Sequence, residues 1–157
     1  MKSVSYAAPL LLLALAACGG GDKDASTKTT VEKDGVKATV EITDAWCRPT
    51  PNGAQAGACY LTVESTHANR VTGVATPLAA NAQIHDMTMQ GGMMRMSELS
   101  GGLPLPAGEK VELAPGGKHL MLMGLTAPLV DGAAVSLTLT FSATPAMTVQ
   151  APVRQPK

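Results

Sequence analysis

The sequence predicts an all-β fold, a Greek-key β-sandwich or barrel formed as a single domain, and three observations predict it. No segment holds the i, i+3, i+4 apolar spacing of an amphipathic helix through three turns. Short stretches of alternating apolar and polar residues recur instead, separated by Gly, Pro, Asn and Asp. Seven to nine such stretches fit into about 120 residues, the density of a sandwich or small barrel. There is no internal repeat.

The elements follow in order. Val36 to Ile42 alternates Val, Ala, Val and Ile with Lys, Thr and Glu, the pattern of a half-buried strand. After Trp46 and Cys47 comes a segment rich in strand breakers, Arg48-Pro49-Thr50-Pro51-Asn52-Gly53. Ala58 to Val63 and Arg70 to Ala75 read as the next two strands. Ala82 to Met89 and Met93 to Met96 flank Gly91-Gly92, a dipeptide suited to a tight hairpin turn. Lys110 to Leu113, His119 to Leu125, Ala134 to Phe141 and Ala146 to Val153 complete the series.

The N-terminal residues carry a different message. Lys2 is followed by an apolar run from Ala7 to Ala17, too short to span a bilayer but of the length of a secretory h-region. It ends in Leu15-Ala16-Ala17-Cys18, which looks like a bacterial lipobox, in which the cysteine is lipidated and becomes the first mature residue. The competing reading is an ordinary signal peptide that ends near a cysteine. Residues 1–17 are thus expected to be a signal peptide, with Cys18 as the lipid anchor. Residues 18–35 are expected to form a flexible tether, since they are polar, charged and poor in apolar side chains. Residues 36–154 are expected to be the folded domain. The expected place is the periplasmic side of a bacterial envelope. Gly19 after the cysteine, rather than Asp, resembles lipoproteins sorted to the outer membrane. No other stretch could cross a bilayer as a helix, so membrane contact is expected through the lipid only.

Composition narrows the function classes. Twelve basic and twelve acidic residues leave no net charge, and no basic patch recommends a nucleic acid or an anionic membrane surface. There is no nucleophile elbow, no HExxH and no suggestive carboxylate pair, so the chain does not read as an enzyme. Once Cys18 is lipidated, Cys47 and Cys59 remain. An oxidising compartment favours their pairing across an 11-residue loop. A thiolate metal or redox site is the alternative, although the spacing matches neither CxxC nor a usual zinc pattern.

Methionine is the compositional anomaly. Seven methionines and two of the three histidines lie between residues 85 and 123. At strand spacing His119 and Met121 share one face, with Leu120 and Leu122 on the other. His85, Met87 and Met89 likewise share a face, as do Met94 and Met96 beyond the Gly91-Gly92 turn. Thioether is a soft neutral donor that suits Cu(I), and imidazole is a compatible companion. Methionine also escapes the disulfide formation that would disable a cysteine site outside the cytoplasm. The bland alternative is packing, because methionine fills cores adaptably. That reading suits Met93, Met123 and Met147 taken singly, and His67 reads as a solvated loop residue.

These residues resemble the periplasmic CuA-copper-chaperone (PCuAC) family. Its pattern is a His, ten residues, a Met, about 21 residues, then His-x-Met. His85 and Met96 match the first interval, and His119-Leu120-Met121 the last. The interval 97–118 is one residue longer, an excess that the turn Ser100-Gly101-Gly102 can absorb. Asp44-Ala45-Trp46, Leu105-Pro106-Ala107-Gly108 and Met121-Leu122-Met123-Gly124-Leu125 also match in kind, and the likeness covers roughly residues 36–151. The resemblance implies a cupredoxin-like β-sandwich that holds Cu(I) through His85, Met96, His119 and Met121; Met87, Met89 and Met94 stay unassigned by it, as a surrounding shell or a loading path. It further implies a monomeric carrier that delivers copper to the CuA subunit of cytochrome c oxidase, directly or with a Sco-like thiol protein. A copper-sequestering lipoprotein with the same site is the alternative. The His- and Met-rich C-terminal tail of some relatives has no counterpart in the ending Ala151-Pro152-Val153-Arg154-Gln155-Pro156-Lys157. A blue-copper site would need a Cys thiolate beside its histidines, and neither cysteine lies near His119 in sequence.

Overall fold

A computed structural model describes residues 27–33 and 36–156. The expected signal peptide, Cys18 and the first part of the expected tether lie outside the described residues.

Eleven strands and no helix make up the described residues, in the cupredoxin-like β-architecture expected. They are β1 (Thr27–Lys33), β2 (Val36–Cys47), β3 (Ala56–Ser65), β4 (Asn69–Ala75), β5 (Ala79–Gln90), β6 (Met93–Glu98), β7 (Leu103–Leu105), β8 (Lys110–Leu113), β9 (His119–Leu125), β10 (Ala134–Phe141) and β11 (Met147–Pro152). One sheet has the order β1-β2-β3-β9-β5-β6, with β8 also paired to β3. The second has the order β11-β10-β4-β7. Every pairing between named strands is antiparallel.

The core follows from two-residue alternation. In β10, Val135, Leu137, Leu139 and Phe141 point inward, and in β11 Met147, Val149 and Ala151 do so. They meet Val40, Ile42, Leu61, Val63, Leu120 and Leu122 of the larger sheet in one cluster. Each fully buried Leu or Val contributes about 1.5–3 kcal/mol relative to exposure, enough in sum to fix which face of each strand is inside.

Two segments depart from expectation. Residues 27–33, read as part of a flexible tether, form β1 at the edge of the larger sheet, paired through Thr27↔Ile42 to Lys33↔Val36. Strand addition requires backbone hydrogen bonds rather than an apolar side-chain face, so a polar sequence can take an edge. Thr30 meets Thr39 at 3.1 Å, and Lys28 meets Glu41 at 3.4 Å. The second is Leu103-Pro104-Leu105, which forms β7 ahead of the turn. Pro104 is tolerated because β7 is an edge strand, while Leu103 and Leu105 enter the core.

Candidate metal centre

A β-bulge first decides which side chains reach which face. The register of β2 against β3 runs to Thr43↔Thr62 and resumes at Trp46↔Tyr60, so two residues of β2 oppose Leu61 alone. Asp44 takes φ 50°, a left-handed conformation that Asp tolerates better than most residues. Before the bulge Val40 and Ile42 point inward; after it Ala45 and Cys47 do. Trp46 is thereby turned to the outer face, where its ring lies 4.6 Å from that of Tyr60 and under the guanidinium of Arg154. Cys47 and Cys59 are directly opposite and joined by a disulfide inside the core.

The outer face of β9, β5 and β6 collects the histidines and methionines. His119 of β9 is opposite His85 of β5, their ring centroids 5.8 Å apart. One step along, Met121 is opposite Gln83. On the other side His85 faces Glu98, Met87 faces Met96, and Met89 faces Met94. Directly paired residues share a face, so Gln83, His85, Met87, Met89, Met94, Met96, His119 and Met121 all project to one side. Leu120 and Leu122 fill the core behind them.

The two histidines are brought together most closely. Met121 flanks His119 along β9, and Met96 lies diagonal to His85 on β6. Met87 is half-buried beside His85, whereas Met89, Met94 and Met96 are exposed. Met93, expected to pack, is exposed on the opposite face of the hairpin instead. Met147 does pack in the core, and His67 is exposed beside Thr66. The turn expected to absorb the extra residue, Ser100 to Gly102, connects β6 to β7, outside the segments that pair His85 with His119.

Hydrogen bonds set the tautomers. Nε2–H of His85 donates to Oε1 of Gln83 at 3.0 Å, which leaves the Nδ1 lone pair free. That Nδ1 is buried and has no partner. Nδ1–H of His119 donates to the Gly117 carbonyl at 3.0 Å, so its Nε2 carries the lone pair. An unsatisfied buried acceptor costs about 1–3 kcal/mol, which a bound cation would relieve. His85 is held below its ordinary pKa, chiefly because burial disfavours the imidazolium and secondly because His119 opposes a like charge; Glu98 acts the other way. The ring is therefore kept in the neutral form that a metal needs. Gln83, Gly117 and Glu98 were not singled out from sequence, although Gln83 sits two residues before His85, where a strand returns to the same face.

Among the described residues no three His, Cys, Asp or Glu side chains converge as a metal site. The sulfurs on the face of the histidine pair are the thioethers of Met87, Met89, Met94, Met96 and Met121. The bridged cysteines face the core and offer no thiolate.

Residues 40–153 match the family described as "Putative lipoprotein LpqE-like". The chain belongs to the LpqE-like family. Its relatives include "Putative lipoprotein Lxx21020" of Leifsonia xyli subsp. xyli, 36% identical over 117 residues that cover 73% of this chain and 69% of the other. Among solved structures it is similar to the Cu(I) form of DR1885 from Deinococcus radiodurans, with TM-score 0.57 and 33% identity over 70% of this chain and 74% of that one. The copper-bound PCuAC domain from PmoF2 matches with TM-score 0.61, covering 74% of this chain and 93% of that domain. At 24% identity that likeness carries the fold, which is the fold of the PCuAC domains.

Proposed function

We propose that this LpqE-like protein is a Cu(I) carrier of the bacterial envelope, with His85, Met96, His119 and Met121 as ligands and no catalytic role. The observation that carries the reading is the buried, unpartnered Nδ1 of His85 directly across from His119, with thioethers on the same face to either side. Two imidazoles and two thioethers are all neutral, so bound Cu(I) keeps its positive charge; the exposed Met96 at the edge of the site gives water and an acceptor a way to the metal. The Cu(I) held by DR1885, 33% identical to this chain, supports the same cargo. Lipidation of Cys18 would hold the domain at the periplasmic side of the envelope, at the outer membrane on the Gly19 criterion, and the family description supports a lipoprotein. The destination is the CuA site of cytochrome c oxidase, reached directly by the monomer or through a Sco-like thiol protein.

The test has two arms. X-ray absorption of the protein loaded with one equivalent of Cu(I) should give nitrogen and sulfur in the first shell, and joint Met96→Leu and Met121→Leu substitution should weaken Cu(I) binding at the histidine pair. An oxygen-only shell refutes the site. Incubation with an apo CuA domain should then move copper to that domain; tight binding with no transfer to it or to a Sco-like protein identifies a copper-sequestering lipoprotein instead.

A further inference from the structure

Beyond β9, the β5–β6 hairpin continues as a ribbon of its own. β9 begins at His119, opposite His85, so residues 86–90 of β5 pair only with β6. Gly91 and Gly92, at φ 60° and 80°, close it with the doubly left-handed turn that matches strand twist. Its two faces differ. One carries Asp86, Ser97, Thr88, Arg95, Gln90 and Met93, with Asp86 3.7 Å from Lys118. The other carries only methionine: Met87 opposite Met96, and Met89 opposite Met94.

Packing does not explain that second face. Met89 is 68% exposed, Met94 50% and Met96 49%, and no methionine of the ribbon joins the core cluster. Three large apolar side chains in water on a two-stranded ribbon, with Met87 half-buried behind them, bring little burial energy, and β-branched residues would build a better strand. Directly paired residues in such a ribbon have Cβ atoms about 4.5–5.5 Å apart. Three rotatable bonds let each thioether sulfur swing toward its neighbours. A two-by-two array of soft neutral donors, with no carboxylate or imidazole on the face beyond His85 and Glu98, matches the preference of a monovalent d¹⁰ cation.

We propose that Met87, Met89 and Met94, with Met96 shared, form a second, all-thioether site for Cu(I), distinct from the histidine pair and outermost on the molecule. The thioether site stands on the ribbon alone; the sharing of Met96 rests on the ligand set proposed above. With Met96 common to both, Cu(I) can exchange one thioether at a time from the ribbon toward His85 and His119. It keeps its oxidation state throughout and never leaves the protein.

Ag(I), a redox-inert d¹⁰ stand-in, tests this on the full chain, followed by methionine-methyl and histidine-ring NMR. The wild-type chain should take up two equivalents, one moving the Met87, Met89 and Met94 methyls and the other moving Met121 and both rings. Joint Met87→Leu, Met89→Leu and Met94→Leu substitution, close to volume-conserving, should leave one equivalent with the rings still responding. Met89→Leu alone, at a position too exposed to affect folding, should weaken the ribbon's uptake. Methyls of the ribbon that stay still at all Ag(I) levels, or a triple variant that still takes two equivalents, overturn the proposal. The His85→Ala, His119→Ala variant separates the two sites. It should keep one equivalent on the ribbon; if it keeps two, the histidine site fails while the thioether site stands.

Discussion

Replacing Gln83 by leucine removes the acceptor that holds the His85 ring while leaving every proposed copper ligand in place. Gln83 Oε1 receives the Nε2–H of His85 at 3.0 Å, and this bond is what leaves Nδ1 as the free donor. The bond itself is a neutral one, about 0.5–1.5 kcal/mol net. Loss of an orienting partner behind a metal-bound imidazole typically lowers metal affinity about 10–100-fold, which corresponds to roughly 1.4–2.8 kcal/mol. The leucine side chain faces Met121 from the same position, so the apolar surroundings of the site are preserved. Competition with a chromophoric Cu(I) chelator should therefore show an affinity lowered by about 10–100-fold with unchanged stoichiometry. ¹⁵N spectra of the apo protein should show His85 passing from one tautomer to a mixture. Gln83→Glu keeps an acceptor and should restore the affinity. Unchanged affinity together with an unchanged tautomer in the leucine variant refutes the orienting role, because the bond would then be idle.

Removing the bridge with Cys47→Ala and Cys59→Ala should cost about 3 kcal/mol of stability, read from urea unfolding, for a loop of this length. Copper stoichiometry should stay the same, since the bridge faces the core and the proposed ligands face away; lost copper binding contradicts that separation. The low pKa of His85 sets the sign of a pH effect on the apo protein. The unfolded chain takes up this proton first as pH falls below 6.5, so stability present above that value is lost as pH descends through the folded-state pKa. Thermal midpoints between about pH 7.5 and 5.5 should fall, and His85→Gln should flatten the difference. Cys18→Ser should move the protein from the membrane fraction to the soluble fraction, and unchanged fractionation refutes the lipid anchor.

Much of this was legible because period-two alternation is a strong signal. His119-Leu120-Met121-Leu122 displays its inside and outside directly, and Ala134 to Phe141 does the same. Gly91-Gly92 announced the turn and with it the common face of Met87, Met89, Met94 and Met96. What stayed hidden obeyed other rules. β1 is held by the backbone ladder and polar pairs, which leave no apolar period to read. β7 was masked by Pro104, permitted only because nothing pairs on its far side. That His85 meets His119 is a matter of register between strands more than thirty residues apart, which spacing alone does not fix. Met93 looked like filler and instead lies on the polar side of the hairpin, because the tight turn sets its phase opposite Gln90.

The bulge at Asp44 and Ala45 has a consequence for sulfur. Deleting one residue there would shift the pleat by a single step and exchange the destinations of Trp46 and Cys47. The cysteine would then emerge on the same surface as His119 and Met121, leaving Cys59 unbridged within the interior. A cuprophilic thiol would then share the face of the thioethers, two strands from β9, and compete for the proposed cargo. As built, one thickness of β-sheet works as a partition between two kinds of sulfur: a sealed covalent bond on one side, and on the other the open thioethers proposed as copper ligands.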